Sequence, residues 1–115
     1  MLNPADEIGA WFESAAIAYG YAHDTGRSKV ADDILGDLNK IAARAKSLNP
    51  AAEARIAALM TEGRTPWVRY CAATLMMRFD RAQAISSLKQ LSGEQGMFVP
   101  MCIALVADLE STRSA

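Results

Sequence analysis

The residues best suited to acid/base chemistry lie near the end of the first predicted helix, around the chain's one histidine, His23. Tyr19 precedes His23 by about one helical turn, so the two rings share a helix face, whereas Tyr21 points elsewhere. A pocket at Tyr19 and His23 that binds a small molecule or moves a proton is one hypothesis. The alternative, which the sequence favours, is a histidine at a helix C-terminus that the helix dipole stabilises.

The sequence offers weaker candidates for a metal site or for a nucleophile. Asp32, Asp33 and Asp37 lie on one predicted helix, but a hard cation needs more oxygen ligands, so we expect a solvated acidic face. Cys71 and Cys102 form no Cys-x-x-Cys pair, and two buried free thiols are expected rather than a disulfide or zinc ligands. We therefore predict no catalytic residue, no metal and no cofactor.

Large apolar side chains offer a second kind of candidate, a surface that binds a protein. Trp11 and Trp67 each lie in the first two turns of a predicted helix, where a partner contact is one role and core packing is the favoured one. Met76 and Met77 are adjacent and do not share a helix face. One of them is therefore a candidate for the surface, although filling gaps in the core is the favoured role for both.

Arginines cluster around the fourth predicted helix. Arg64, Arg78 and Arg81 form either a basic ridge that faces a partner or ordinary solvated surface, and the sequence favours the second. The candidate partner-binding residues are Trp11, Arg64, Trp67, Met77, Arg78 and Arg81.

Composition limits the classes of function. A chain of 115 residues suffices for one hydrophobic core, so we expect a single domain over residues 1–115. The formal net charge of −1 does not favour nucleic acid as a partner. There is neither a leader pattern at the start nor an apolar run long enough to cross a bilayer, so we predict a cytoplasmic protein that does not bind membranes.

Helix starts are marked by side chains that cap helices. Asn3-Pro4, Asn49-Pro50 and Thr65-Pro66 each place a hydrogen-bond acceptor before a proline that is suited to the first helical position. Asp80 offers a further N-cap. These signals predict where the helices begin.

Apolar residues recur at helical intervals, and the alternation typical of strands is absent. The predicted inward faces include Trp11 in the first helix and Val30 in the second. The sequence predicts about six helices, at approximately Pro4–His23, Arg27–Leu48, Pro50–Met60, Pro66–Arg78, Arg81–Leu91 and a last segment ending near Glu110.

The segment from Thr65 to Ser92 has a Val-Arg pair early in one helix, an Ala-Ala pair after it and spaced leucines on the next helix. This segment resembles a HEAT repeat, and the whole chain looks like a group of small bacterial proteins of unknown function built on a HEAT or armadillo-like superhelix. The resemblance implies a right-handed α-α superhelix of about six antiparallel helices, with Arg69 paired to an acidic neighbour. The matching residues are Pro66, Val68, Arg69, Ala72, Ala73, Leu75, Asp80, Ala84, Leu88 and Leu91, and Thr65 stands where the family usually has Asp.

By this resemblance, and because catalytic groups are lacking, we expect a non-enzymatic protein–protein interaction module, such as an inhibitor, an immunity-type protein or an adaptor. The competing hypothesis is a small-molecule binder or enzyme with a pocket near Tyr19 and His23. A homo-oligomer that uses exposed apolar residues for self-assembly is a third.

Overall fold

A computed structural model describes residues 4–48 and 50–114, and within these ranges the chain forms helices and no strand. The predicted all-α class is therefore confirmed. The helices are α1 (Pro4–Asp24), α2 (Ser28–Leu48), α3 (Pro50–Ala57), α4 (Leu59–Glu62), α5 (Pro66–Leu75), α6 (Arg81–Ser92) and α7 (Phe98–Ser114).

The helix boundaries follow the predictions with three differences. The third predicted helix is divided at Ala58 into α3 and the single turn α4. Helix α5 ends at Leu75 instead of Arg78, because the carbonyl of Met76 accepts hydrogen bonds from Phe79 N (3.0 Å) and Asp80 N (3.3 Å), which closes a turn. Helix α7 continues past Glu110 to Ser114.

Two of the predicted N-caps are present. Thr65 Oγ1 accepts a hydrogen bond from Val68 N at 3.3 Å, and Asp80 Oδ1 accepts one from Gln83 N at 3.0 Å. Each bond satisfies an amide that lacks a partner inside its helix. The other two predicted capping residues, Asn3 and Asn49, lie outside the described residues.

The connection between α1 and α2 is a tight turn at Gly26. The amide of Gly26 donates to His23 O (3.1 Å), and the amide of Arg27 donates to Ala22 O (2.8 Å). This pair of bonds is a Schellman motif, which requires the left-handed backbone that Gly26 adopts at φ 73°. The motif ends α1 and turns the chain directly into α2.

Helix α1 is the centre of the packing, since α2, α3 and α5 all contact it. Helix α5 also contacts α4, α6 and α7, and α6 and α7 pack on each other. The described part of the chain measures 40 × 34 × 21 Å. None of its helices is both long and apolar enough to cross a bilayer. The largest fully buried side chains are Phe12, Leu38, Ile56, Met60, Val68, Cys71, Leu88, Leu91 and Cys102.

Two residues predicted to face inward do not. Val30 is 46% exposed, and its neighbour Ala31 is fully buried instead. The buried line of α2 runs through Ala31, Leu38 and Ala45 at a spacing of about seven residues, and this narrow stripe rotates the helix relative to the predicted face. Trp11 is 55% exposed, because α1 buries Phe12 at the next position and leaves Trp11 on the flank.

Candidate functional site

Tyr19 and His23 share one face of α1, as predicted, but an indole fills the space against them. Their ring centroids are 4.6 Å apart in an edge-to-face contact. Trp67 stacks on His23 with centroids 5.0 Å apart and 9° between the planes, and it meets the edge of Tyr19 at 5.7 Å. A nearby groove of about 350 Å³ is lined by Ile17 and Tyr21 among others, and not by Tyr19 or His23.

Trp67 joins three helices and is only 6% exposed. Its Nε1 donates to both carboxylate oxygens of Asp24 at 3.2 Å. Tyr70 and Phe98 pack against the indole edge-to-face at 5.8 and 5.6 Å. The favoured core role of Trp67 is therefore confirmed, and the residue is not available as an exposed partner contact.

Groups that would supply other chemistry are solvated or inert. Asp32, Asp33 and Asp37 are all exposed, and within the described residues no group of three His, Cys, Asp or Glu side chains is placed to hold a metal ion. Cys71 and Cys102 are buried free thiols, as predicted. Burial raises the pKa of Cys71 to about 12, and burial together with Glu94 raises that of Cys102 to about 11. Both thiols are therefore protonated, and weak nucleophiles, at neutral pH.

Two arginines form ion pairs with other parts of the chain, and the side chain of Arg64 is still 74% exposed. Arg64, between α4 and α5, donates from its backbone N (3.2 Å) and Nε (3.1 Å) to the carboxylate of Glu13 on α1. Arg69 Nη1 lies 3.4 Å from Glu94 Oε2, so its expected pairing with an acidic neighbour is confirmed. These contacts connect elements that are distant in sequence.

The other predicted arginines lie away from Arg64. Arg78 follows the C-terminal end of α5, whose 10 residues separate it from Arg64 by about 15 Å. Arg81 begins α6, and its Nη2 donates to Leu109 O at 3.4 Å. Met77 is half-buried, whereas Met76 is buried. Arg64 therefore precedes α5, whereas Arg78 and Arg81 follow its C-terminal end.

An exposed tryptophan lies in a groove between α1 and α2. Trp11 and Leu48, both exposed, line a space of about 300 Å³ together with Ile8. Arg44 and Glu7 supply one charge of each sign to its lining. We call this space the Trp11 groove.

A second groove, of about 540 Å³, lies on α2, α3 and the turn after α5. We call it the Phe79 groove, after an aromatic side chain that is 45% exposed. Apolar and small side chains form most of its lining, and three charged residues border it. Its residues are Ala42, Ala43, Lys46, Glu53, Leu75, Met76, Arg78 and Phe79.

The turn that carries Phe79 is fixed by hydrogen bonds at both ends. The bond from Phe79 N to Met76 O closes it on the α5 side, and the N-cap of Asp80 anchors it to α6. An exposed aromatic ring on such a turn loses little backbone entropy when a partner binds. Phe79 therefore has the properties of a preorganised contact residue.

Sequence reasoning identified Trp11 and Arg78 as partner candidates, but it missed Phe79, Lys46 and Leu48. A signal was present for Phe79, because it lies between two arginines and directly before the N-cap Asp80. Arginine and aspartate are mostly exposed in folded proteins, so these neighbours favour a place at the surface for the turn. No comparable local signal marks Leu48, whose exposure depends on how α2 is rotated.

A wider groove of about 730 Å³ lies between the start of α1 and α3. Its cation, Arg55, is held by Asp6 (3.4 Å) and lies 4.0 Å from Glu62, and all three residues line the groove. Its charges are therefore paired internally. It offers less to a partner than the two grooves with exposed aromatic rings.

No protein-family model, curated protein or solved structure matches the chain.

Proposed function

We propose that this chain is a non-enzymatic protein-binding module that contacts its partner through the C-terminal half of α2 and the grooves on either side of it. The observation that carries the proposal is the Phe79 groove, in which an exposed aromatic ring on a hydrogen-bonded turn borders an apolar floor. Large aromatic side chains and arginine are enriched among the residues that dominate binding energy at protein interfaces.

The Trp11 groove supports the same function. Trp11 is exposed and Arg44 lines the same groove, and tryptophan and arginine are both enriched among the residues that dominate binding energy at interfaces. Both grooves use residues from the second half of α2, so one partner can contact both. A catalytic role has no comparable support, since Trp67 occupies the space against Tyr19 and His23.

We also propose that the helices are arranged as a HEAT or armadillo-like superhelix. In the segment that resembles the repeat, Val68, Ala72 and Ala73 are buried on α5, and Leu88 and Leu91 are buried on α6, which is the packing that the resemblance implies. Such stacks present side surfaces to protein partners, and an inhibitor, immunity-type protein or adaptor of the cytoplasm would use them in this way.

The test is affinity capture from the cells that make the protein, with the wild-type chain and a Trp11→Ser/Phe79→Ser double variant immobilised side by side. Both substituted side chains are about half exposed, so the variant is expected to fold, which circular dichroism checks. We expect a protein that the wild-type chain retains and the variant does not, and calorimetry with the purified partner then gives the stoichiometry.

Retention of the same protein by both chains would assign binding to another surface. If no protein is retained and native mass spectrometry instead shows a bound small molecule, the chain is a ligand-binding protein and the proposal is wrong. A mass above that of one chain, without any partner, would favour the homo-oligomer.

A further inference from the structure

The charges around the Phe79 groove select the chemistry of its occupant. Lys46 and Arg78 border the groove, and neither takes part in an ion pair with another described residue. Glu53 is the one anion in its lining. The groove therefore has an excess of positive charge in a chain whose formal net charge is −1.

The floor of the groove is apolar. Met76 is buried beneath it, Ala42 and Ala43 contribute small side chains, and Phe79 forms an exposed wall. A volume of about 540 Å³ accommodates a few side chains of a partner. A groove lined by Leu75, Met76 and Phe79 fits an aromatic or large aliphatic residue of a short segment.

We propose that the Phe79 groove binds a short acidic segment of a partner protein, with an apolar side chain of the segment between Phe79 and Met76 and its carboxylates beside Lys46 and Arg78. The assignment rests on the proposed function and adds the partner's chemistry. The Trp11 groove has one charge of each sign, Arg44 and Glu7, and so supplies no such preference. Nucleic acid is disfavoured because two cations beside an anion do not match a regular phosphate backbone.

The experiment begins with a random peptide library displayed on phage and selected against the immobilised wild-type chain. We expect the selected peptides to be enriched in Asp and Glu around one aromatic or large aliphatic residue. The strongest is then synthesised with a fluorescent label, and its Kd for the wild-type chain is measured by anisotropy.

Charge reversal tests the role of the two cations. Reversing both, in Lys46→Glu/Arg78→Glu, is expected to raise the Kd of the acidic peptide by about tenfold or more, since each exposed pair contributes modestly and is replaced by repulsion. The matched control is Lys29→Glu/Lys40→Glu, which makes the same change in net charge at exposed positions of α2 outside the groove lining. The control is expected to change the Kd by less than about twofold.

Two further variants test whether negative charge in the groove weakens binding of the acidic peptide and whether Phe79 supplies an apolar contact. Glu53→Gln removes the anion in the lining, so the acidic peptide is expected to bind about two to five times more tightly. Phe79→Ala removes the apolar wall and is expected to raise the Kd by about tenfold. A role of Glu53 in folding alone would not produce tighter binding.

The outcomes separate the occupant from the function. Peptides that need Phe79 but are neutral or basic overturn the acidic segment and leave the protein-binding function in place. The acidic segment is likewise overturned, and the protein-binding function kept, if acidic peptides bind equally well to Lys46→Glu/Arg78→Glu and to the control Lys29→Glu/Lys40→Glu. It is also overturned if the selection yields no peptide although a protein is captured. The acidic segment is also overturned if no peptide is selected and the chain instead binds anionic vesicles or a single-stranded RNA through Lys46 and Arg78. Failure of both the selection and the affinity capture overturns the function itself.

Discussion

Replacement of Gly20 by alanine tests the packing at the centre of the fold. An ideal Cβ at Gly20 would lie 2.6 Å from Trp67 Cβ and closer still to Cγ and Cδ1 of the same ring. Van der Waals repulsion at such distances forces one of the two groups to move. Because Gly20 lies inside α1 and Trp67 inside α5, relief requires either a new position for the ring or a larger separation of the helices.

Trp67 has little freedom to move. His23 stacks on one face, Tyr19, Tyr70 and Phe98 pack edge-to-face around it, and its Nε1 is held by Asp24. We therefore assign overpacking a cost of about 3 kcal/mol, at the upper end of the usual range. Displacement of the ring also weakens the hydrogen bond to a carboxylate, at about 1.5 kcal/mol. The gain in helix propensity from glycine to alanine offsets about 1 kcal/mol.

The balance is a decrease of about 3.5 kcal/mol in the free energy of unfolding for Gly20→Ala. For a chain of this length the corresponding decrease in Tm is about 14 °C. Urea unfolding followed by far-ultraviolet circular dichroism measures the free energy, and a thermal scan measures Tm. The matched control is Gly36→Ala on α2, where no atom lies within 4 Å of the added Cβ. There the same substitution is expected to stabilise the protein by about 1 kcal/mol.

A double-mutant cycle identifies the cause. In a Trp67→Ala background two of the three nearest atoms, Cγ and Cδ1 of the indole, are absent, so the cost of Gly20→Ala is expected to fall by about 2 kcal/mol. If Gly20→Ala raises the stability as Gly36→Ala does, or if its cost is unchanged by Trp67→Ala, the close approach of α1 and α5 at this position is wrong.

Three other predictions rest on contacts and burial within the fold. Asp80→Ala removes the acceptor for Gln83 N and is expected to lower the free energy of unfolding by about 1 kcal/mol, whereas Asp80→Asn, which keeps a capping oxygen, should lose less; equal losses in urea unfolding would contradict the cap. Cys71 and Cys102 should resist iodoacetamide at neutral pH and react only in denaturant, which mass spectrometry measures. Burial raises the pKa of the Cys71 thiol from 9.0 to about 12. The stability that the buried, protonated thiol contributes is therefore complete below pH 9. As the pH rises from there, the free energy of unfolding decreases by up to about 1.4 kcal/mol per pH unit. Cys71→Ala should make this alkaline loss less steep, and an unchanged slope would contradict it.

The helix starts could be predicted from the sequence because capping is local. Thr65 and Asp80 each bond to an amide three residues ahead, and a proline or polar side chain at a fixed offset is enough to identify the pattern. The pairing of Tyr19 with His23 has the same origin, since helical spacing alone brings the two rings together. These contacts join residues three or four positions apart in the sequence, so they do not depend on tertiary packing.

Helix rotation could not be predicted in this way. Periodicity shows that α2 has an apolar side, but it does not decide whether Val30 or Ala31 lies at the centre of that side. Contact with α1 selects Ala31, because a small side chain lets the two helices approach closely. The position of Leu48 on the border of the Trp11 groove follows from the same rotation, so this part of the candidate surface required the three-dimensional structure.

The two tryptophans show why residue type alone did not locate the site. Trp11 and Trp67 both lie near the start of a helix, yet one is mostly exposed and the other is enclosed by aromatic rings. Trp67 is enclosed because Gly20 allows α5 to approach α1 at that level, and no glycine occupies the corresponding position beside Trp11. A single exposed aromatic residue needs no explanation, since folded proteins retain much apolar surface. What distinguishes Phe79 is that the hydrogen bonds that end α5 and begin α6 fix the turn that carries it, and that Lys46 and Arg78 line the same groove. Those hydrogen bonds belong to the fold, so the groove at Phe79 is a consequence of how the helices are terminated.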